Sequence, residues 1–190
     1  MTAASANMEG LSREGAMSSS YFTTLSHYNA WANRRLYQAC ETLSETEYMR
    51  ERGSSFGSLH ATLNHILVAD RIWVARIEGR TPPNLKLDQI LYGDLIGLKM
   101  ARVAEDEHIR IMVAGITRER LDQPLEYRDS RGDRLATPLR LVLGHFFNQQ
   151  AHHRGRAHGL LSQTEVPPPP LDLIAFVRQQ PPETSDNPDR

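Results

Sequence analysis

Residues 58–78 place the tightest constraint on the fold. At 100° per residue, Leu59, Leu63, Ile66, Leu67, Trp73, Val74 and Ile77 fall on one side of a helix. Ala61, Val68, Ala69 and Ile72 cover much of the other side, which leaves a narrow polar strip through His60, Asn64, Arg71 and Glu78. A helix that is apolar nearly all round has to be covered by neighbours on most sides. The segment is therefore predicted to be a central helix, ending before Gly79 with Pro82-Pro83 just beyond.

Three further helices can supply the cover. Tyr21, Leu25, Tyr28, Trp31, Leu36 and Tyr37 recur at helical spacings, which predicts a helix from about Ser19 to Thr42. Another is predicted from about Asp88 to Gly115, carrying Leu91, Leu95, Leu98, Val103, Ile109, Met112 and Val113. The period is lost over 121–136, where a short hairpin or extended loop turning at Gly132 is expected. Thr137-Pro138 is a predicted helix start, a capping hydroxyl followed by proline at the first helical position, and that helix runs to about Ser162. Pro167 to Pro170 must be extended, and Leu171-Asp-Leu-Ile-Ala-Phe-Val177 is expected to dock back on the body.

The predicted fold is all-α, an antiparallel four-helix bundle with a short irregular or hairpin insertion before the last long helix. It occupies 19–178. Residues 1–18 are expected to be a disordered leader in which Met17 could be the biological start, and 179–190 a disordered tail.

Composition excludes several function classes. A formal net charge of -1, with the arginines spread along the chain, argues against nucleic acid or an anionic membrane as partner. No stretch approaches the ~20 apolar residues of a membrane span, and the first twenty residues contain no secretory h-region. The single cysteine, Cys40, allows no intramolecular disulfide, fits a reducing cytoplasm, and is expected to pack rather than react.

Chemistry concentrates near the C-terminus. His145, His152, His153 and His158 are four of the eight histidines. His145, Gln149 and His153 step along one helical face, and Arg156 continues it. Adjacent residues point about 100° apart, so His153 rather than His152 is the inward candidate. Far upstream, His65 lies amid Ala61, Val68, Ala69 and Ile72, where an unpaired polar group is costly. Either His65 is a core histidine bonded to a backbone carbonyl and the downstream rings are solvated, or imidazoles from two helices share a metal ion with a third donor.

No acidic residue lies between Asp133 and Glu165, whereas Arg140, Arg154 and Arg156 do, a local field suited to an anionic ligand. Asp70 interrupts the apolar face of its helix. A salt bridge to Arg34 or Arg35 accounts for it, or else a buried acid with a raised pKa. Gly144, Ala151, Gly155 and Gly159 form a small-residue stripe that would let a neighbouring helix approach closely. That stripe and the face around Asp70 are both candidate dimer surfaces.

Three blocks, Tyr28-Asn-Ala-Trp-Ala-Asn-Arg-Arg-Leu36, Ser55 to Trp73 and Phe147-Asn-Gln-Gln-Ala-His-His153-Arg-Gly155, resemble the DinB/YfiT-like family of damage-inducible metalloenzymes. The resemblance covers about residues 19–178. It implies an up-down-down-up four-helix bundle, often homodimeric, with a divalent metal (Zn²⁺ or Ni²⁺) held by one histidine of the second helix and two of the last. His65 matches the first ligand and His153 the third. The second falls on Gln149, where the family pattern has histidine; a glutamine carbonyl oxygen binds late transition metals more weakly than imidazole.

The activities implied are thiol-dependent S-transfer or isomerisation, using a low-molecular-weight thiol as cosubstrate, with metal-dependent hydrolysis as a variant. Arg154 or Arg156 is the candidate to orient a carboxylate of a small-molecule substrate. The rival expectation is a non-catalytic, stress-induced dimeric protein that binds a ligand or partner and carries a degenerate metal site.

Overall fold

A computed structural model describes residues 19–129 and 131–179. Four long helices, α1 (Ser19–Cys40), α3 (Leu59–Ile77), α4 (Leu95–Ala114) and α6 (Leu139–Leu161), are joined by the short helices α2 (Glu45–Met49) and α5 (Arg118–Asp122). A hairpin of β1 (Pro124–Arg128) and β2 (Arg134–Pro138) precedes α6, and α7 (Leu173–Gln179) closes the described chain.

Cross-helix contacts give the direction of each rod. Glu41 reaches Lys99 while Asn29 reaches Asp106, so α1 and α4 are antiparallel. The pairs His65–His153 and Trp73–His145 make α3 and α6 antiparallel. Asp70–Arg102 and Glu78–His108 run α3 parallel to α4, and Phe22–Phe147 with Asn33–Arg154 runs α1 parallel to α6. The bundle is therefore up-down-down-up, with α4 diagonal to α6.

The central helix behaves as its pattern predicts. Ser58 caps α3 by accepting the Ala61 N–H at 3.1 Å, and Leu59, Leu63, Leu67 and Val74 are buried. Its polar strip is interior at one end and exposed at the other, where Glu78 meets solvent. His60 and Asn64 are buried, with His60 Nδ1 3.2 Å from the Tyr48 hydroxyl.

Two boundaries differ from expectation. The third long helix begins at Leu95 rather than near Asp88, because the Asp94 carboxylate accepts the Gly97 N–H at 2.7 Å and starts it there. The residues ahead of it run as a loop pinned by Asn64, whose Oδ1 accepts the N–H groups of Leu91 (2.8 Å) and Tyr92 (3.1 Å). Thr137 does not cap α6: the β1–β2 ladder extends to Pro124↔Pro138, which holds Thr137 in a strand opposite Leu125.

Docking of the C-terminal segment is as expected. Phe176 packs on Tyr28 and Trp31, and Tyr28 donates its hydroxyl to the Leu171 carbonyl at 2.6 Å. Gln179, assigned to the tail from sequence, ends α7 and accepts the Trp31 indole N–H at 3.2 Å. The expected leader, Met17 within it, and the rest of the tail lie outside the described residues.

Two apolar clusters fill the bundle, one around Leu36, Leu63, Leu98 and Leu160 and the other around Phe22, Val74, Ile109 and Phe146. A buried polar layer separates them. Arg102 of α4 bonds Asp70 of α3 at 2.5 Å and Asp106 at 3.0 Å. Asn29 and Asn33 of α1 donate to Asp106 and accept from Arg154 of α6. The partner of Asp70 is thus Arg102 and neither Arg34 nor Arg35, because Asp70 faces α4 rather than α1. At 2% exposure Asp70 also cannot belong to an intermolecular face.

Cys40 is fully buried, and burial pushes its thiol up to about 12, leaving it an inert packing residue. The close-packing role expected for Gly155 and Gly159 is not met among the described residues: a Cβ added at either would meet nothing within 4 Å.

Candidate metal centre

The seam between α3 and α6 brings His65 and His153 together. Their Nε2 atoms are 3.3 Å apart and their ring centroids 4.3 Å, although the residues are 88 apart in sequence. His65 makes the backbone-carbonyl bond of the first expectation, and its other ring nitrogen faces His153. Its Nδ1–H donates to the Leu87 carbonyl at 2.7 Å, and its Nε2 faces the second imidazole. The carbonyl fixes the tautomer, since only a protonated Nδ1 can approach an oxygen so closely; Nε2 therefore carries the lone pair.

Burial holds both rings below the usual imidazole range. Arg156 adds to this at each, and His65 and His152 add to it at His153, which is pulled down to about 4. The Leu87 carbonyl works in the opposite direction at His65. Both rings are neutral near pH 7 and present nitrogen lone pairs. The separation suits a shared cation: two nitrogens at ~2.0–2.1 Å from a tetrahedral ion sit about 3.3 Å apart.

A third donor has to come from the same face of α6. Gln149 lies one turn before His153 and is half-buried. Among the described residues no group of three His, Cys, Asp or Glu side chains is placed to hold a metal ion. His65 and His153 could offer two nitrogen ligands to a divalent ion, and Gln149, on the same face of α6, could add a weaker amide oxygen. His153 Nδ1 is buried without a partner, so its ring lacks the orienting bond that His65 enjoys.

The remaining candidates separate. Arg156 is half-buried, and its positive charge is felt at both rings. Arg154 is not at the pair: one residue beyond His153, it is turned about 100° toward α1. There it is 2% exposed, bonded to Asn29 and Asn33 and set 5.2 Å over the Tyr28 ring. Its donors are committed to the interior, which removes it as the carboxylate-orienting residue. His145 sits two turns away against Trp73, and His152 is exposed with its ring 5.0 Å from His153.

Sequence reasoning missed Phe56. Its ring stacks on His65 at 3.8 Å and lies 5.7 Å from His153, so it covers one side of the pair. A tight loop presents it. Gly53 and Gly57 have φ of 68° and 80°, the Arg52 N–H reaches the Gly57 carbonyl at 2.9 Å, and a side chain at Gly57 would strike the Glu51 carboxylate. Two glycines flanking Ser54-Ser55-Phe56 were the only signal in the sequence.

An up-down-down-up bundle with two neutral imidazoles facing one another across a seam defines a class of helical-bundle proteins with a histidine centre. The family profile described as "DinB family" matches residues 17–186, and the chain belongs to that family. It is 25% identical over 157 residues to "Protein DinB" of Bacillus subtilis (strain 168), covering 80% of this chain and 91% of that protein. Its fold is similar to that of a crystallised DinB-like protein from Bacillus subtilis, with a TM-score of 0.53 at 19% identity over 75% of this chain and 94% of the other. No helix among the described residues is long and apolar enough to cross a membrane.

Proposed function

We propose that this protein is a cytoplasmic, divalent-metal-dependent enzyme acting on a small-molecule substrate, of the thiol-dependent S-transferase or isomerase kind, with hydrolysis as a variant. The observation that carries this is the pair of neutral imidazoles with Nε2 atoms 3.3 Å apart. His65 and His153 would hold the ion through Nε2, and Gln149 would add its amide oxygen. Bound Zn²⁺ or Ni²⁺ would supply the positive charge that keeps a low-molecular-weight thiol, or a water, deprotonated near neutral pH.

The chain's own groups supply the rest. Leu87 holds the His65 tautomer, Phe56 keeps water from one face of the rings, and Arg156 offers a guanidinium to an anionic substrate group. Among the described residues, the charged side chain acting on both histidines is the cation Arg156, which favours an anionic ligand.

Gln149 in the place of a third imidazole favours a second reading, a non-catalytic stress protein that binds a ligand or partner with its metal site decayed. Metal analysis of full-length, untagged protein purified without chelators separates the two. Near-stoichiometric Zn²⁺ or Ni²⁺, lost in His65→Ala and His153→Ala, supports the enzyme, and a panel of thiols and electrophiles then finds the reaction. Metal-free protein that takes up neither ion on titration rejects it.

A further inference from the structure

A cleft of about 270 Å³ opens between α1 and α4. Ala30 and Val103 give it an apolar wall, and Tyr37 and Arg102, 3% and 2% exposed, line it as well. Each of these two carries an unused donor. The Tyr37 hydroxyl and the Arg102 Nε are buried with no hydrogen-bond partner among the described residues. The two side chains are close, since the Arg102 charge is felt at the Tyr37 hydroxyl. A buried polar group left unpaired is costly, so two beside one cleft call for an occupant.

The other polar groups of the cleft define that occupant. Asp106 Oδ1 already accepts from Asn29 and Asn33, at 3.1 and 2.9 Å, and Glu107 pairs with Arg110 at 2.5 Å. Lys99 is paired with Glu41 at 2.6 Å. Arg34 lines the cleft, is exposed, and has no carboxylate partner among the described residues. The free groups are thus donors, two of them on guanidinium groups, and their complement is an acceptor that carries negative charge.

We propose that this cleft binds a small organic monoanion, a carboxylate on a compact apolar body. Arg34 and Tyr37, three residues apart, share a face of α1, so one carboxylate can take up both the guanidinium and the hydroxyl, with Arg102 across from them on α4. The apolar wall favours a carbon body over a bare inorganic ion. Asp106 and Glu107 also line the cleft and oppose a second negative charge, which disfavours phosphate. The volume is small beside the roughly 300–1,000 Å³ of pockets for drug-sized ligands, which limits the body to about a single ring. The α1–α4 seam lies across the bundle from the His65–His153 seam, so this inference stands or falls apart from the proposed chemistry.

Calorimetric titration of the full chain with benzoate tests it, with circular dichroism as the check on folding. A Kd at or below about 1 mM is expected. Arg34→Gln and Tyr37→Phe, which each remove one donor to the carboxylate, should weaken binding by at least about tenfold. Val103→Trp, which fills the cleft from a position 59% exposed, should abolish it. If Val103→Trp misfolds, the other two variants decide alone. No binding of benzoate, or binding that neither Arg34→Gln nor Tyr37→Phe weakens, overturns the inference. So does benzyl alcohol or inorganic phosphate that binds as tightly as benzoate. Affinity lost in Arg156→Gln but kept in Arg34→Gln would put the ligand beside the histidines and overturn it too.

Discussion

His65 donates its Nδ1 proton to the carbonyl of Leu87 at 2.7 Å, so the loop between α3 and α4 sets the orientation of a ring on α3. That loop is held in turn by Asn64, one residue before His65. Asn64 accepts from Leu91 and Tyr92 and donates to the Tyr92 carbonyl at 3.3 Å. A fully buried asparagine that touches neither Nε2 atom therefore orients the candidate ligand at one remove.

Asn64→Ala is expected to lower affinity for Zn²⁺ or Ni²⁺ by about 10–100-fold, as the loss of an outer-shell partner does. It should also cost about 1–3 kcal/mol of stability through the amides left unpaired. Calorimetric metal titration beside urea unfolding checks both. Undiminished affinity in a destabilised protein would leave Asn64 a purely structural residue.

Gln149→His replaces a weak amide oxygen with a third imidazole on the same face of α6. Affinity for Zn²⁺ should rise by at least about tenfold, while His145→Ala, whose ring rests on Trp73, should leave it unchanged. Competition with a chromogenic chelator reads this directly. No gain would mean that the side chain at 149 does not converge on the pair.

Asp70 and Arg102 form the centre of the buried polar layer. Asp70→Ala leaves the guanidinium with Asp106 as its one carboxylate partner and should cost about 3–5 kcal/mol. A loss under about 1 kcal/mol in urea unfolding would show that the layer relaxes easily.

The same pair sets a pH dependence. Burial outweighs Arg102 and lifts the Asp70 carboxyl to about 6, from 3.8 for an ordinary aspartate. Between those values the folded chain holds a proton that the unfolded chain has released. Asp70 therefore favours folding at low pH, and this contribution is lost as pH rises from about 4 to about 6. Asp70→Asn, which cannot ionise, should flatten that part of the stability profile. Parallel urea midpoints for both proteins across this window would contradict it.

Tyr28→Phe removes the hydroxyl that the Leu171 carbonyl accepts at 2.6 Å. The expected loss is about 1 kcal/mol, felt where α7 docks. Faster amide exchange over 171–179 with unchanged protection in α3 is the expected signature, and uniform change across the chain would assign the bond to global stability instead.

The bundle was legible because burial leaves a period in the residue string. The all-round apolar character of 59–77 forces a central rod, the hairpin at Gly132 and the proline stretch follow from local backbone chemistry, and the apolar side chains of 171–177 mark a segment that has to dock. His65 and His153 were legible as residue types on apolar-flanked faces, with Gln149 conspicuous between His145 and His153.

Partners across the bundle left no such trace. Asp70 could as well have met an arginine of α1; the parallel packing of α3 on α4 selected Arg102. Arg154 and Arg156 look alike in the string, yet a turn of about 100° per residue sends one into the core and leaves the other near the histidines. Phe56 and the Leu87 carbonyl reach His65 through two loops whose paths are set by glycine backbone angles and by the side chain of Asn64. Periodicity records which side of a helix is buried, whereas the identity of the neighbour depends on how the helices are arranged in space, and that arrangement exists only once the chain has folded.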